Sequence, residues 1–309
     1  MKFAFVFSGQ GAQNVGMGKD IYDSYETAKK IFKTADEILN WRVSELCFNG
    51  PEEKLTQSVY CQPSIFTVSC ACLETFKSLF PSVLPVGVAG LSLGEFAALY
   101  SAEVFSFEDG LKLVARRGEL MDQACIENKG SMASVLGADA ELVAKACSET
   151  DVDMANLNCP GQIVISGDSA KIAIAIEKLK TMGVKKIIPL KVAGAYHSRL
   201  MQSAAAKFAN VLEATSFNAP KIPVAQNVVG KFVQSADEIR ENLSKQVSGT
   251  VLWEKCVLEL CQTGADTIIE FGPGNVLTGL AKRIKPNLKT FNINSSKSLE
   301  DFKVFLEQN

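Results

Sequence analysis

The sequence holds a single histidine among its 309 residues. A site built from several imidazoles is thereby excluded, and any histidine chemistry has to run through His197. Long apolar runs are missing too: nothing approaches the roughly eighteen continuous apolar residues of a membrane span. Charge has no dominant sign, with 32 Lys and Arg against 34 Asp and Glu, a formal net charge of −2 and a pI near 5.7. That balance gives no reason to expect nucleic acid or a membrane as a partner. Nine cysteines are present but form no Cys-x-x-Cys pair, so zinc and dithiol readings find no support and no metal is expected. They read as buried thiols in a reducing compartment, Cys70 and Cys72 in the apolar run from Ile65 to Leu73 most plainly. No internal repeat, low-complexity tract or phosphate-loop pattern occurs.

What is present describes an ordinary globular protein, 47% hydrophobic and 21% charged. Its length allows two domains, or one domain with an inserted lobe. Phe3-Ala4-Phe5-Val6-Phe7 is too short for a signal-peptide core and reads as a first strand. Strand-like and amphipathic helical runs then alternate, which predicts an α/β protein with a mainly parallel sheet. Helices are expected over 19–39, over 64–79 after Pro63, over 95–102 and over 107–124, with a short buried strand at 85–89. From Gly130 the rhythm changes: strand 131–136, helix 140–148, strands 152–157 and 162–166, helix 170–182, strand 184–190. This βαββαβ order is ferredoxin-like. It predicts an inserted lobe at 128–193 within a large domain formed by 1–127 and 194–309. The large domain resumes with a helix over 199–214, strands at Val224 and 267–270, the break Gly272-Pro273-Gly274 and a helix over 276–284.

The chemistry centres on Gly90-Leu91-Ser92-Leu93-Gly94. Gly-x-Ser-x-Gly arises by chance in many proteins, but here an apolar strand precedes it and a helix-forming run follows. That is the context of a nucleophile elbow, which exposes a serine at a sharp strand-to-helix turn. A serine hydroxyl is a poor nucleophile at neutral pH and needs an adjacent base. His197, after the small residues Ala193-Gly194-Ala195, is the one candidate imidazole. The backbone N–H of Leu93 is the natural oxyanion donor, and Gln10, in Gly9-Gln10-Gly11 after the first strand, offers a second. Asp151, Asp153 and Asp168 lie between serine and histidine but fall in the predicted lobe, where surface carboxylates are the default. A carbonyl could orient the imidazole instead, and the pattern leaves both open. Arg116-Arg117 sits on a helix; an arginine turned inward there would be a bidentate receptor for a carboxylate.

Taken together and in order, Gly9-Gln10-Gly11-Ala12-Gln13, Gly90-Leu91-Ser92-Leu93-Gly94-Glu95, Arg117-Gly118, Ala195-Tyr196-His197-Ser198 and Gly272-Pro273-Gly274 resemble the malonyl-CoA:acyl carrier protein transacylases of fatty-acid synthesis. The resemblance spans nearly the whole chain. It implies a large α/β-hydrolase-like domain carrying a ferredoxin-like subdomain, and a ping-pong transfer of malonyl from CoA to a carrier thiol. It further implies Ser92 as nucleophile, His197 as base, Gln246 as the residue whose carbonyl orients the histidine, and Gln10 and Leu93 as the oxyanion hole. Arg117 would clamp the malonyl carboxylate, and Asn158 and Asn227 match polar positions near the family's pocket. Leu91 departs from the family's usual histidine, and Tyr196 from its usual phenylalanine; malonyl stays the favoured acyl group. The expected partners are malonyl-CoA, as substrate, and acyl carrier protein, with no cofactor. A monomer is expected, in a bacterial-type cytoplasm or in a plastid stroma after loss of a transit peptide. Because such carriers are acidic, Lys282-Arg283-Ile284-Lys285 and Lys185-Lys186 are candidate docking groups. Two rivals stand beside this reading: an esterase or thioesterase, which the missing acid and Arg117 disfavour, and a non-catalytic binder that retains the elbow.

Overall fold

The run Phe3–Phe7 is buried along its whole length, as a strand covered on both faces has to be. It is the first of ten strands among the 308 residues, 1–308, that the computed structural model describes. They are β1 (Phe3–Phe7), β2 (Pro85–Gly90), β3 (Gly130–Leu136), β4 (Asp153–Cys159), β5 (Gln162–Asp168), β6 (Lys186–Pro189), β7 (Val224–Gln226), β8 (Lys231–Val233), β9 (Thr267–Phe271) and β10 (Lys289–Ile293). Six of them form a sheet in the order β10-β9-β1-β2-β7-β8, parallel except for β8 at the edge. In this register Phe7 lies beside both Gly90 and Phe271, so β1, β2 and β9 end at one level. The three segments that follow them therefore open on the same edge of the sheet. Ligands of parallel α/β sheets collect at that carboxyl edge.

The helices covering this sheet bury a phenylalanine cluster. Phe5, Phe76 and Phe271 meet edge to face at 4.9–5.7 Å between ring centres, and Phe302 packs on Phe76 at 5.1 Å. Each such ring, fully buried, is worth about 1.5–3 kcal/mol of transfer free energy.

The other four strands pair antiparallel in the order β4-β5-β3-β6 and all fall between Gly130 and Pro189. With the helices Ala140–Thr150 and Ser169–Thr181 they give the βαββαβ sequence. This lobe has an apolar centre of its own, including Val143, Ile165, Ile172 and Leu179. Asp139 and Asp168 cap its two helices, their side chains accepting from the N–H groups of Leu142 and of Ala170 and Lys171. Several contacts tie the lobe to the main sheet's domain. Asn156 of β4 bridges to Val251, the Thr250 hydroxyl donates to the Met154 carbonyl at 2.8 Å, and Arg199 forks onto Asp153.

The structure corrects several expectations. The helix over 19–39 is two helices, Lys19–Ser24 and Glu26–Leu39, because Tyr25 between them is extended. The helix placed over 64–79 runs from Ser58 to Leu79, with Pro63 inside it. Proline there sits in the second turn, so only one backbone hydrogen bond is forgone. The strand over 184–190 is only Lys186–Pro189, and the segment over 199–214 opens with a 3-10 turn at Arg199–Met201. Helices at Val43–Asn49, Ala236–Gln246, Trp253–Gln262 and Ser296–Glu307, and strands β8 and β10, add to the elements expected from periodicity. Among the described residues no helix is long and apolar enough to cross a membrane.

Candidate active site

β2 ends at Gly90 and the helix Gly94–Ser101 begins four residues later. So sharp a reversal brings backbone onto backbone. A Cβ on Gly90 would lie 2.0 Å from the Gly94 carbonyl, and one on Gly94 would lie 2.1 Å from the Phe7 carbonyl. Both glycines are therefore dictated by close approach. Between them Ser92 adopts φ 52°, a left-handed conformation that costs a non-glycine residue about 1–3 kcal/mol. His197 shares this conformation at φ 57°.

The two strained residues meet. Ser92 Oγ lies 2.7 Å from His197 Nε2, and His197 Nδ1 lies 2.8 Å from the backbone carbonyl of Gln246. A carbonyl only accepts, so Nδ1 carries the proton and Nε2 is free to take one from the serine. The open question of the third member is thus answered by geometry. The carbonyl orients the ring, while Asp151 and Asp153 pair with Arg199 and Asp168 caps a helix.

Arg117 lies on the buried face of the helix Phe107–Glu127 and is 1% exposed, whereas its neighbour Arg116 faces outward and pairs with Glu119. Its Nη2 donates to Ser92 Oγ at 3.0 Å and to Gln246 Oε1 at 2.9 Å, and Nη1 donates to Gln62 Oε1 at 2.8 Å. Nε is buried with no acceptor among the described residues. The guanidinium also lies over the Phe96 ring at 5.6 Å. Gln10 follows β1, its side chain held between Ser58 Oγ at 3.3 Å and Gln62 Nε2 at 3.4 Å. The backbone N–H groups of Gln10 and Leu93 donate to no protein acceptor among the described residues. Leu93 itself buries its side chain in the core.

These groups face a cavity of about 650 Å³ at the carboxyl edge of the main sheet. Its walls come from both lobes: Gln10, Ser92, Arg117 and His197 on one side, Met132 and Asn158 on the other. The Asn158 side-chain oxygen is buried and has no partner among the described residues. Asn227, expected beside the substrate, is not part of the cavity wall. It is fully buried behind the elbow, where its Oδ1 accepts from the Ser92 N–H at 2.7 Å. Arg283, expected on a docking face, is exposed and also bonds the smaller lobe through Gln162 Oε1 at 2.5 Å and the Pro160 carbonyl.

Residue patterns do not reveal Gln62 or Ser58 as parts of this network, and they give Glu95 as the end of the elbow motif without its bracing role. The available signal is polar residues inside apolar helical runs, Gln62 beside Cys61 and Glu95 before Phe96. Burial pushes the Glu95 carboxyl up to about 7, while hydrogen bonds from the Asn227 N–H and the Gln226 amide pull it down.

Burial, reinforced by the positive charge of Arg117, holds His197 at about 4, below its ordinary 6.5; the hydrogen bond to Gln246 works weakly the other way. Both larger causes favour the neutral imidazole, which is the form that accepts the serine proton. The kcat/KM of serine acylation is therefore expected to stay level as pH falls through 6.5, dropping only as pH approaches about 4. A pH series of the acylation half-reaction checks this; a half-maximal point near 6.5 would show the imidazole to be unperturbed.

The acyl transferase domain family matches residues 4–295. A malonyl CoA-acyl carrier protein transacylase of Bacillus subtilis is 41% identical over 304 residues, 97% of this chain and 95% of that protein. A crystal structure of a Clostridium perfringens malonyl CoA-acyl carrier protein transacylase superposes with a TM-score of 0.95 at 38% identity, covering 100% of this chain and 98% of that one. A malonyl-transacylase solved in complex with its type II PKS acyl-carrier protein also superposes at 0.95, with 37% identity and complete coverage of both chains.

Proposed function

The chain belongs to the acyl transferase domain family, and from that membership and the geometry of its cavity we infer an enzyme that moves malonyl from malonyl-CoA to the phosphopantetheine thiol of acyl carrier protein. It is an acyltransferase that supplies malonyl-carrier for fatty-acid elongation. One observation carries the reading: a buried guanidinium lies 3.0 Å from the same serine oxygen that an imidazole contacts at 2.7 Å. The site thus joins an activated nucleophile to a receptor for a carboxylate, and malonyl thioesters present a carboxylate next to the carbonyl to be attacked.

In this mechanism Ser92 Oγ attacks the thioester carbonyl while His197 Nε2 takes its proton. The negative charge developing on the carbonyl oxygen is met by the N–H groups of Gln10 and Leu93. Collapse breaks the carbon–sulfur bond, and the imidazolium returns its proton to the departing CoA sulfur. The carrier's thiol then gives a proton to His197 and attacks the malonyl ester, and Ser92 Oγ leaves and is reprotonated. Arg117 holds the malonyl carboxylate throughout. The unpartnered Asn158 oxygen is an acceptor for an amide N–H of the pantetheine arm. No cofactor enters, since serine, imidazole and backbone dipoles supply every step. A single chain holds the whole site, in keeping with a monomer. All nine cysteines are free thiols, in keeping with a reducing compartment such as a bacterial cytoplasm or a plastid stroma.

Intact-protein mass spectrometry after brief exposure to malonyl-CoA tests the reading. A malonyl-sized gain that is discharged onto added phosphopantetheinylated carrier is expected. CoA release without an adduct, and with free malonate as product, would favour the thioesterase instead.

A further inference from the structure

Ser92 is held by its backbone as well as by its side chain, and the holding groups come from a distant part of the chain. Asn227 lies just after β7, which is the strand neighbouring β2. Its Oδ1 accepts the Ser92 N–H at 2.7 Å, and its Nδ2 donates to the Gly90 carbonyl at 2.8 Å. One side-chain amide therefore spans the elbow on both sides of Leu91. From the other side Gln246 Nε2 donates to the Ser92 carbonyl at 3.0 Å. Asn227 is in turn fixed from behind: its backbone N–H donates to Glu95 Oε2 at 2.6 Å, while Glu95 Oε1 accepts from Gln226 Nε2 at 3.1 Å. Glu95 belongs to the first turn of the helix that the elbow launches, so the loop closes on itself. Glu95, Gln226 and Asn227 are all fully buried, and none of them lines the cavity.

We propose that Asn227 and Glu95 are positioning residues of the transfer reaction: Asn227 staples the elbow across Gly90 and Ser92, and Glu95 fixes the staple. The left-handed Ser92 is disfavoured on its own, and a strained residue persists only where its surroundings over-determine it. The staple provides that, using both halves of one amide on two backbone groups that would otherwise be buried unpaired. Its effect is to fix where Ser92 Oγ stands relative to His197 Nε2 and to hold the Leu93 N–H on the side of the developing oxyanion. The inference rests on the proposed acyl transfer for its substrate, but the staple itself acts on the serine whatever the acyl group.

The test uses the full chain and two electrophiles. The first is malonyl-CoA, with the single-turnover acylation rate and the KM measured separately. The second is phenylmethylsulfonyl fluoride, which reports on the serine and does not need the carboxylate clamp. In Asn227→Ala both rates are expected to fall about thirtyfold, the size of effect that follows from losing one or two buried hydrogen bonds, with KM for malonyl-CoA within about twofold of wild type. Asn227→Asp, which keeps the acceptor for the Ser92 N–H, is expected to recover at least about threefold of that loss. Glu95→Gln turns an N–H₂ group toward donors and is expected to lower both rates about fivefold, which gives a second reading if Asn227→Ala does not fold. Wild-type rates in a folded Asn227→Ala or Glu95→Gln protein would overturn the proposal, as would a loss confined to KM. If wild type forms no malonyl-serine yet sulfonylation still falls in the variants, the staple stands and the acyl-transfer reading fails.

Discussion

With His197 replaced by alanine, acylation of Ser92 by malonyl-CoA is expected to slow by about three to four orders of magnitude. The sequence offers no second imidazole, and the geometry offers no other base to the serine: among the described residues its oxygen contacts only His197 Nε2 and Arg117, whose guanidinium is protonated at neutral pH. A positioned general base usually contributes about two to four orders of magnitude, and removal of either member of a serine–histidine pair disables the pair. The slow residual reaction would come from binding and from the Gln10 and Leu93 N–H groups. Ser92→Ala, by contrast, is expected to abolish the adduct outright. Quenched-flow mass spectrometry of both variants reads the two outcomes. A malonyl adduct of wild-type size on Ser92→Ala would place the nucleophile elsewhere and undo the assignment.

The second large effect concerns choice of acyl group. Arg117→Ala leaves the malonyl carboxylate buried without its partner, a loss of about 3–5 kcal/mol when one member of a buried ion pair is removed. That corresponds to about a hundred- to several-thousand-fold in kcat/KM for malonyl-CoA. Acetyl-CoA brings no carboxylate, so its transfer is expected to persist or rise in the variant. Because Arg117 also contacts Ser92 Oγ, Gln62 and Gln246, any loss shared by both substrates reads those contacts and not the clamp. The ratio of the two kcat/KM values isolates the clamp. An unchanged ratio would mean that Arg117 only tunes the serine.

Much of this site is legible in the amino-acid order because it is local. The elbow is five consecutive residues with a steric reason for each glycine. The histidine is identified by being alone. Arg116 and Arg117 stand about 100° apart on a helix, so a helix against the core turns one inward and the other out. The βαββαβ lobe shows in periodicity, since most of its elements are long enough to display their period, the four-residue strand Lys186–Pro189 excepted. What stays hidden is non-local. Asn227 is 135 residues from Ser92, and Gln62 is 55 from Arg117. A side chain that braces another carries no pattern of its own, which is why Asn227 reads as a pocket residue and lies behind the serine instead. Short elements are hidden for a different reason: Val43–Asn49 is seven residues, about two turns, too few for an amphipathic period to declare itself.

The carbonyl behind His197 has a consequence for time. A peptide carbonyl offers a forming imidazolium a dipole, where a carboxylate would offer a full opposite charge, and nearby Arg117 opposes a second positive charge. The result is a feeble base, and feebleness sorts the molecules that arrive at a loaded serine by how easily they give up a proton. A thiol, with a pKa of about 8.5, yields to such a base far sooner than water, a much weaker acid. The malonyl ester is therefore expected to be durable in solvent and short-lived beside a thiol, which free malonate release without carrier, set against transfer with carrier, checks. On that expectation the enzyme stands charged between encounters, a reservoir that empties when the carrier comes.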